Sequence, residues 1–131
     1  MRIDTLALTL YAPLGSADVN EHCLLVQGGV DDFDFLLTGD AGENVEKLLT
    51  SFYAPGDMEL LFAGHHGSKS STGAALLDAV TPEYAFLSVG ANNTYGHPAA
   101  EVLERLEARN IEIHRTDLEG TVSLRIGETN G

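Results

Sequence analysis

With 131 residues, 44% of them hydrophobic and 21% charged, the chain has the size and balance of one globular domain, and its apolar runs are too short to span a bilayer. Seven basic residues against twenty acidic ones give a formal charge of −13, which weighs against strong unaided binding to nucleic acid, where non-specific affinity comes from Lys and Arg on phosphate. The single cysteine, Cys23, forms no internal disulfide and reads as a small buried hydrophobe beside Leu24-Leu25-Val26, which leaves the redox compartment open.

The first residues, Met1-Arg2-Ile3-Asp4, lack the basic and apolar regions of a signal peptide. Leu6 to Tyr11 reads as a strand that breaks at Pro13-Leu14-Gly15-Ser16. His22 to Gln27 and Phe33 to Thr38 follow as two strands, with Gly28-Gly29 and Asp31-Asp32 as turn material, which predicts a hairpin with a longer loop. Glu43 to Phe52 places Val45, Leu48, Leu49 and Phe52 at helical spacing, and Pro55-Gly56 ends that helix. Met58 to Ala63 returns as a buried strand. Ser71-Thr72-Gly73 is positioned to cap a helix over Ala74 to Val80, stopped by Thr81-Pro82.

Tyr84 to Val89 is the next predicted strand and Gly90 to Gly96 a polar loop. Pro98 then suits the first turn of a helix whose apolar stripe is Val102, Leu103 and Leu106 and whose solvated face is Glu101, Glu104, Arg105 and Glu107. Ile111 to His114 and Thr121 to Ile126 are read as a closing strand pair. An antiparallel start followed by strand–helix alternation predicts an α/β fold, a mixed sheet with packed helices, organised as a single domain over residues 1–131. No internal repeat or linker interrupts it.

In such sheets ligands collect beyond the carboxyl ends of the strands. Three polar clusters fall there: Asp40, the pair His65-His66, and the loop Asn92 to His97. Asp40 follows a buried strand and a glycine, so its carboxylate can reach a rim site and bridge two cations. The competing role is N-cap of the following helix. Side chains alternate along an extended segment, so one of His65 and His66 is expected to ligate a metal while the other orients it or contacts substrate. Ser68, Ser70 and Ser71 offer hydroxyls either to an anion or to a helix cap. His97 is a candidate general acid, ligand or phosphate contact, against a plain turn-and-cap role for its loop. His22 and His114 read as structural. A phosphate-binding glycine loop, a Cys-X-X-Cys pair and a Gly-X-Ser-X-Gly elbow are all absent from the sequence.

The segments Leu36-Leu37-Thr38-Gly39-Asp40, Gly64-His65-His66-Gly67-Ser68-Lys69-Ser70-Ser71, Ser88 to Pro98 and Arg115-Thr116-Asp117-Leu118-Glu119-Gly120 occur in that order. Together they resemble the C-terminal metallo-β-lactamase-like domain of the bacterial DNA-uptake proteins of competence, the ComEC/Rec2 family, from about Leu6 to Ile126. The resemblance implies an αββα sandwich hydrolase with one or two divalent metals, zinc or manganese. It also implies Asp40 as the bridging ligand and His66, or else His65, as the last one; His97, Asn93 and Ser68, read from their loops, are the candidate catalytic residues beside them. The implied substrate is the phosphodiester backbone of DNA, and the implied parent is a cell-membrane protein carrying this domain on its outer side.

The chain departs from the superfamily pattern in one respect. The His-X-His-X-Asp-His cluster and a further ligand histidine ahead of the Asp40 position are not found in it, His22 being read as structural. The resemblance therefore covers the C-terminal half of the domain, with no turnover expected from these residues alone. One sheet face should then seek the N-terminal half or a second copy. The alternative readings are a non-catalytic binding or assembly module with the same fold, and a phosphoesterase of another substrate.

Overall fold

A computed structural model describes residues 6–11, 25–53 and 55–126. Cys23, His22 and the predicted loop at Pro13 to Ser16 lie outside the described residues. Among the described residues six strands form one mixed sheet in the order of the chain: β1 (Leu6–Tyr11), β2 (Leu25–Val30), β3 (Phe33–Leu37), β4 (Leu60–Phe62), β5 (Tyr84–Leu87) and β6 (Glu112–Arg115). The first two pairings are antiparallel and the last three parallel. Helices α1 (Glu43–Phe52), α2 (Ala74–Val80) and α3 (Ala100–Ala108) provide the crossovers between the parallel strands. A helical turn, α4 (Thr116–Glu119), follows β6. No helix among the described residues is long and apolar enough to cross a membrane.

The β2–β3 hairpin is tighter than predicted. Gly28 and Gly29 pair within the ladder, and the chain turns only on Asp31-Asp32, with Asp31 in the left-handed region at φ 51°. Strands β2 and β3 pair from Val30 with Phe33 to Val26 with Leu37, which fixes the face of every side chain. The predicted closing strand over Thr121 to Ile126 is also corrected, because those residues carry no strand pairing among the described ones. Their β-branched, alternating pattern meets the condition for a strand, but a strand also needs an edge to pair with.

One sheet face is a core. Leu36, Leu61 and Ala85 lie side by side on it and share a buried cluster with Val45 and Leu49 of α1, Leu76, Leu77 and Val80 of α2, and Val102 and Leu106 of α3. Phe52, expected in the α1 stripe, is instead 73% exposed, and Glu46 takes a buried position on that helix. The opposite face is apolar as well. In register across it run Leu10, Val26, Leu37, Phe62 and Phe86, ending at His114. A second row holds Leu8, Gly28, Phe35, Leu60 and Tyr84. On β1 this face stays open to solvent, with Leu6 and Leu8 at 53% exposure and Leu10 at 61%. A monomer surface seldom concentrates so much apolar area.

Candidate functional site

The carboxyl ends of β3, β4 and β5 lie side by side, so the loops that follow them meet on one rim. Hydrogen bonds to main-chain carbonyls tie them together. Thr38 Oγ1 at the end of β3 donates to the Phe62 carbonyl of β4 at 2.9 Å. The His65 amide donates to the Gly39 carbonyl at 2.7 Å, and the Ala99 amide to the Gly67 carbonyl at 2.8 Å. Asp40, the histidine pair and the His97 loop are thus held to one another by the main chain.

Residues Gly64–Gly67 do not continue the strand. They form a tight turn in which His65 and His66 have φ 48° and 55°, left-handed values that non-glycine residues seldom adopt. The expected alternation of two side chains along an extended segment therefore does not apply. The flanking glycines sit where space is tight. A Cβ on Gly64 would lie 3.0 Å from the Ala41 carbonyl oxygen and 3.1 Å from Thr38 Oγ1, and one on Gly67, at φ +83°, would lie 2.7 Å from Pro98 Cβ.

Both histidine rings are exposed but differently engaged. His66 Nδ1 lies 2.6 Å from the Ser88 carbonyl oxygen, and because a carbonyl only accepts, Nδ1 carries the proton and Nε2 keeps its lone pair. A second ring nitrogen fixed on a carbonyl is the usual support of a metal-ligating imidazole. Ser88 is steadied in turn, since the next amide, Val89 N, donates to Thr116 Oγ1 at 2.7 Å. The His65 ring instead meets the His97 ring edge-on, with centroids 5.8 Å apart, and Tyr95 flanks His97 at 5.9 Å.

Asp40 is exposed on its turn and makes no side-chain hydrogen bond among the described residues. It does not cap α1, whose N-cap is Gly42. Asn93 braces its own loop: its amide nitrogen donates to the His97 and Gly90 carbonyls at 2.7 and 3.1 Å, and its oxygen accepts from the His97 and Tyr95 amides at 3.1 and 3.2 Å. Ser68 is buried and exchanges a hydrogen bond with Ser70 Oγ at 3.1 Å. Ser71 Oγ donates to the Ala41 carbonyl at 2.7 Å, so these hydroxyls bond to the protein itself and do not cap α2, whose N-cap is Gly73. Pro98 follows a cis peptide bond and stands two residues ahead of α3.

Behind this rim lies a carboxyl group that is not among the apolar positions read for α1. Glu46 is 1% exposed, and its carboxylate accepts from the Thr72 and Gly73 amides at 2.6 and 2.8 Å. Burial pushes its pKa up to about 7, against the lowering effect of those two amides and of Arg105, with Glu43 adding to the rise. Arg105, read as part of a solvated helix face, turns inward and donates to the Ser71, Thr72 and Lys69 carbonyls at 3.2, 2.7 and 3.2 Å. At the far edge, His114 sits between Glu119 at 3.0 Å and Glu112 at 3.6 Å, and its hydrogen bond to Glu119 raises its pKa despite partial desolvation.

No three His, Cys, Asp or Glu side chains among the described residues come close enough together to hold a metal ion. Asp40 and one histidine fall short of the roughly three protein ligands of a catalytic zinc site. The donors present do not make a complete metal site.

No family model matches the chain. It is similar to ComE operon protein 3 of Bacillus subtilis (strain 168), 34% identical over 109 residues, covering 83% of this chain and 14% of that protein. It is 39% identical over 114 residues to Competence protein ComA of Neisseria gonorrhoeae, covering 84% of this chain and 16% of that one. Recombination protein 2 of Haemophilus influenzae is 36% identical over 108 residues, which cover 81% of this chain and 13% of the relative. The chain thus spans only 13–16% of the length of these relatives.

Proposed function

This chain belongs to the ComEC/Rec2 family of competence proteins, as a homologue of one segment of them, and on that premise we propose that it forms one wall of a metal-dependent hydrolase domain acting on the phosphodiester backbone of DNA during uptake. The observation that carries this reading is the His66 ring, fixed through Nδ1 on the Ser88 carbonyl with Nε2 left to bind, on the same bonded rim as Asp40. Asp40 and His66 are the proposed ligands from this chain, with His65 the alternative to His66. His97, packed on His65, is the proposed substrate contact, while Asn93 and Ser68 hold the loops that deliver the two histidines.

Zinc or manganese would complete this centre only with ligands from beyond the described residues, and no reaction step is assigned to the present donors. The apolar sheet face, open to solvent on β1, fits the same arrangement. Its rows of Leu, Val, Phe and Tyr offer the inner face of a sandwich to the other half of the domain. The charge of −13 leaves DNA contact to cations or to a basic partner segment.

Metal analysis tests this reading. The complete parent domain is expected to carry zinc or manganese and to lose it on Asp40→Ala or His66→Ala, whereas this chain alone holds neither tightly and leaves single-stranded DNA intact. A complete domain whose metal content is unchanged by both substitutions would overturn the ligand assignment. A metal-free complete domain that still binds its partners would favour the non-catalytic module.

A further inference from the structure

Thr72 is wholly buried and stands at φ 55°, a left-handed conformation that a β-branched residue adopts only when its surroundings impose it. Every polar atom it has is engaged, each by a different element. Its amide donates to Glu46 Oε2 of α1 at 2.6 Å, and its carbonyl accepts from Arg105 Nη1 of α3 at 2.7 Å. Its hydroxyl oxygen accepts from the Gly64 amide at 3.2 Å, a buried bond to the first residue of the histidine turn. The neighbours reinforce the grip, with the Gly73 amide on Glu46 Oε1 and the Ser71 carbonyl on Arg105 Nη1.

We propose that Thr72 is a positioning residue of the site: clamped between Glu46 and Arg105, it presents a fixed hydroxyl to the Gly64 amide and so sets where His65 and His66 stand. The histidine turn is itself strained at two consecutive residues, and strain of that kind persists only where the structure around it over-determines the conformation. The Gly64–Thr72 bond and the His65–Gly39 bond anchor its first two amides. Helix packing is thereby transmitted to ligand geometry through a residue that touches no ligand. The proposal rests on assigning the histidine turn to a functional site, but its mechanical content does not depend on metal.

The test uses the metal-free chain and NMR. Thr72→Val keeps the shape, removes the acceptor and leaves the buried Gly64 amide unpaired, so exchange at Gly64 and His65 is expected to rise about tenfold or more relative to Leu61 and Ala85 in the sheet. The proton on His66 Nδ1, read from ring nitrogen shifts, should become partly shared with Nε2. Thr72→Ser keeps the acceptor and should restore both readings. Arg105→Met, which spares Thr72, should reproduce the loosening and supplies the test if Thr72→Val does not fold. Equal acceleration at Gly64, Leu61 and Ala85 would mean a general stability role and overturn the proposal, as would an unchanged His66 ring. Loss of metal binding in the parent, by contrast, would sink the functional reading and leave these results standing.

Discussion

The His66 ring and the Ser88 carbonyl, 22 positions apart in sequence, meet at 2.6 Å across the ends of β4 and β5. This bond selects the tautomer of the neutral ring. Above the range in which imidazole is protonated, His66 is expected to be the Nδ1–H tautomer, which is the minority form of free histidine. Long-range proton–nitrogen correlation spectra report the tautomer directly, and an Nε2–H signal for His66 would refute the assignment and its role as an Nε2 ligand.

Glu46 predicts a pH dependence of stability. Its pKa is about 7 in the fold against 4.5 ordinarily, so between those values the folded chain holds a proton that the unfolded chain has released. Its contribution is fully present below about pH 4.5 and is lost as pH rises through about 7, a swing on the order of 3 kcal/mol. His114, whose pKa is also raised, adds a smaller effect of the same sign. Urea denaturation at several pH values should therefore show wild type weakening from pH 5 to pH 8. Glu46→Gln, which cannot ionise, should be flatter over the same interval, and parallel curves for the two proteins would rule out Glu46 as the source.

Gly67 is expected to tolerate no side chain. Alanine there would carry φ +83° and place its Cβ 2.7 Å from Pro98 Cβ and 3.0 Å from Pro98 Cα, a contact with backbone that cannot swing away. Left-handed strain and overpacking together should cost about 2–4 kcal/mol. Thermal unfolding of Gly67→Ala measures it, and a loss below about 0.5 kcal/mol would mean that the turn and the His97 loop are not held against each other.

Much of this architecture was legible in sequence because periodicity reports burial. Helix α1 spans Glu43–Phe52 as read, since its apolar spacing and the Pro55-Gly56 stop agree, and β1 spans Leu6–Tyr11. Asp40, the histidine pair and His97 were placed on one rim by their positions after strands, and backbone bonds join those loops. Other features depend on partners remote in the chain. Nothing local to Glu46 or Arg105 shows that they face inward, because their bonding partners lie in the loop 69–73. Likewise, nothing local to His65-His66 shows their left-handed turn, which lies between glycines packed close to the remote Ala41 and Pro98.

The open sheet face yields the last prediction. Leu6, Leu8 and Leu10 alternate along β1, and each is more than half exposed, while the same face continues through Val26, Leu37, Phe62 and Phe86. An edge strand of this kind without a charge on its apolar side is a template for association. In isolation the chain is expected to self-associate reversibly through this face, a second copy standing in for the proposed sandwich partner. Leu8→Lys with Leu10→Lys should abolish association, because lysine cannot be buried unpaired between two sheets. Folding stability should change by only about 0.5 kcal/mol, since both side chains already lie largely in water. Sedimentation velocity over a range of concentrations separates the outcomes. A wild-type chain that stays monomeric at high concentration would show that the face is covered by other means, and the argument for a sandwich partner would then lose its physical basis.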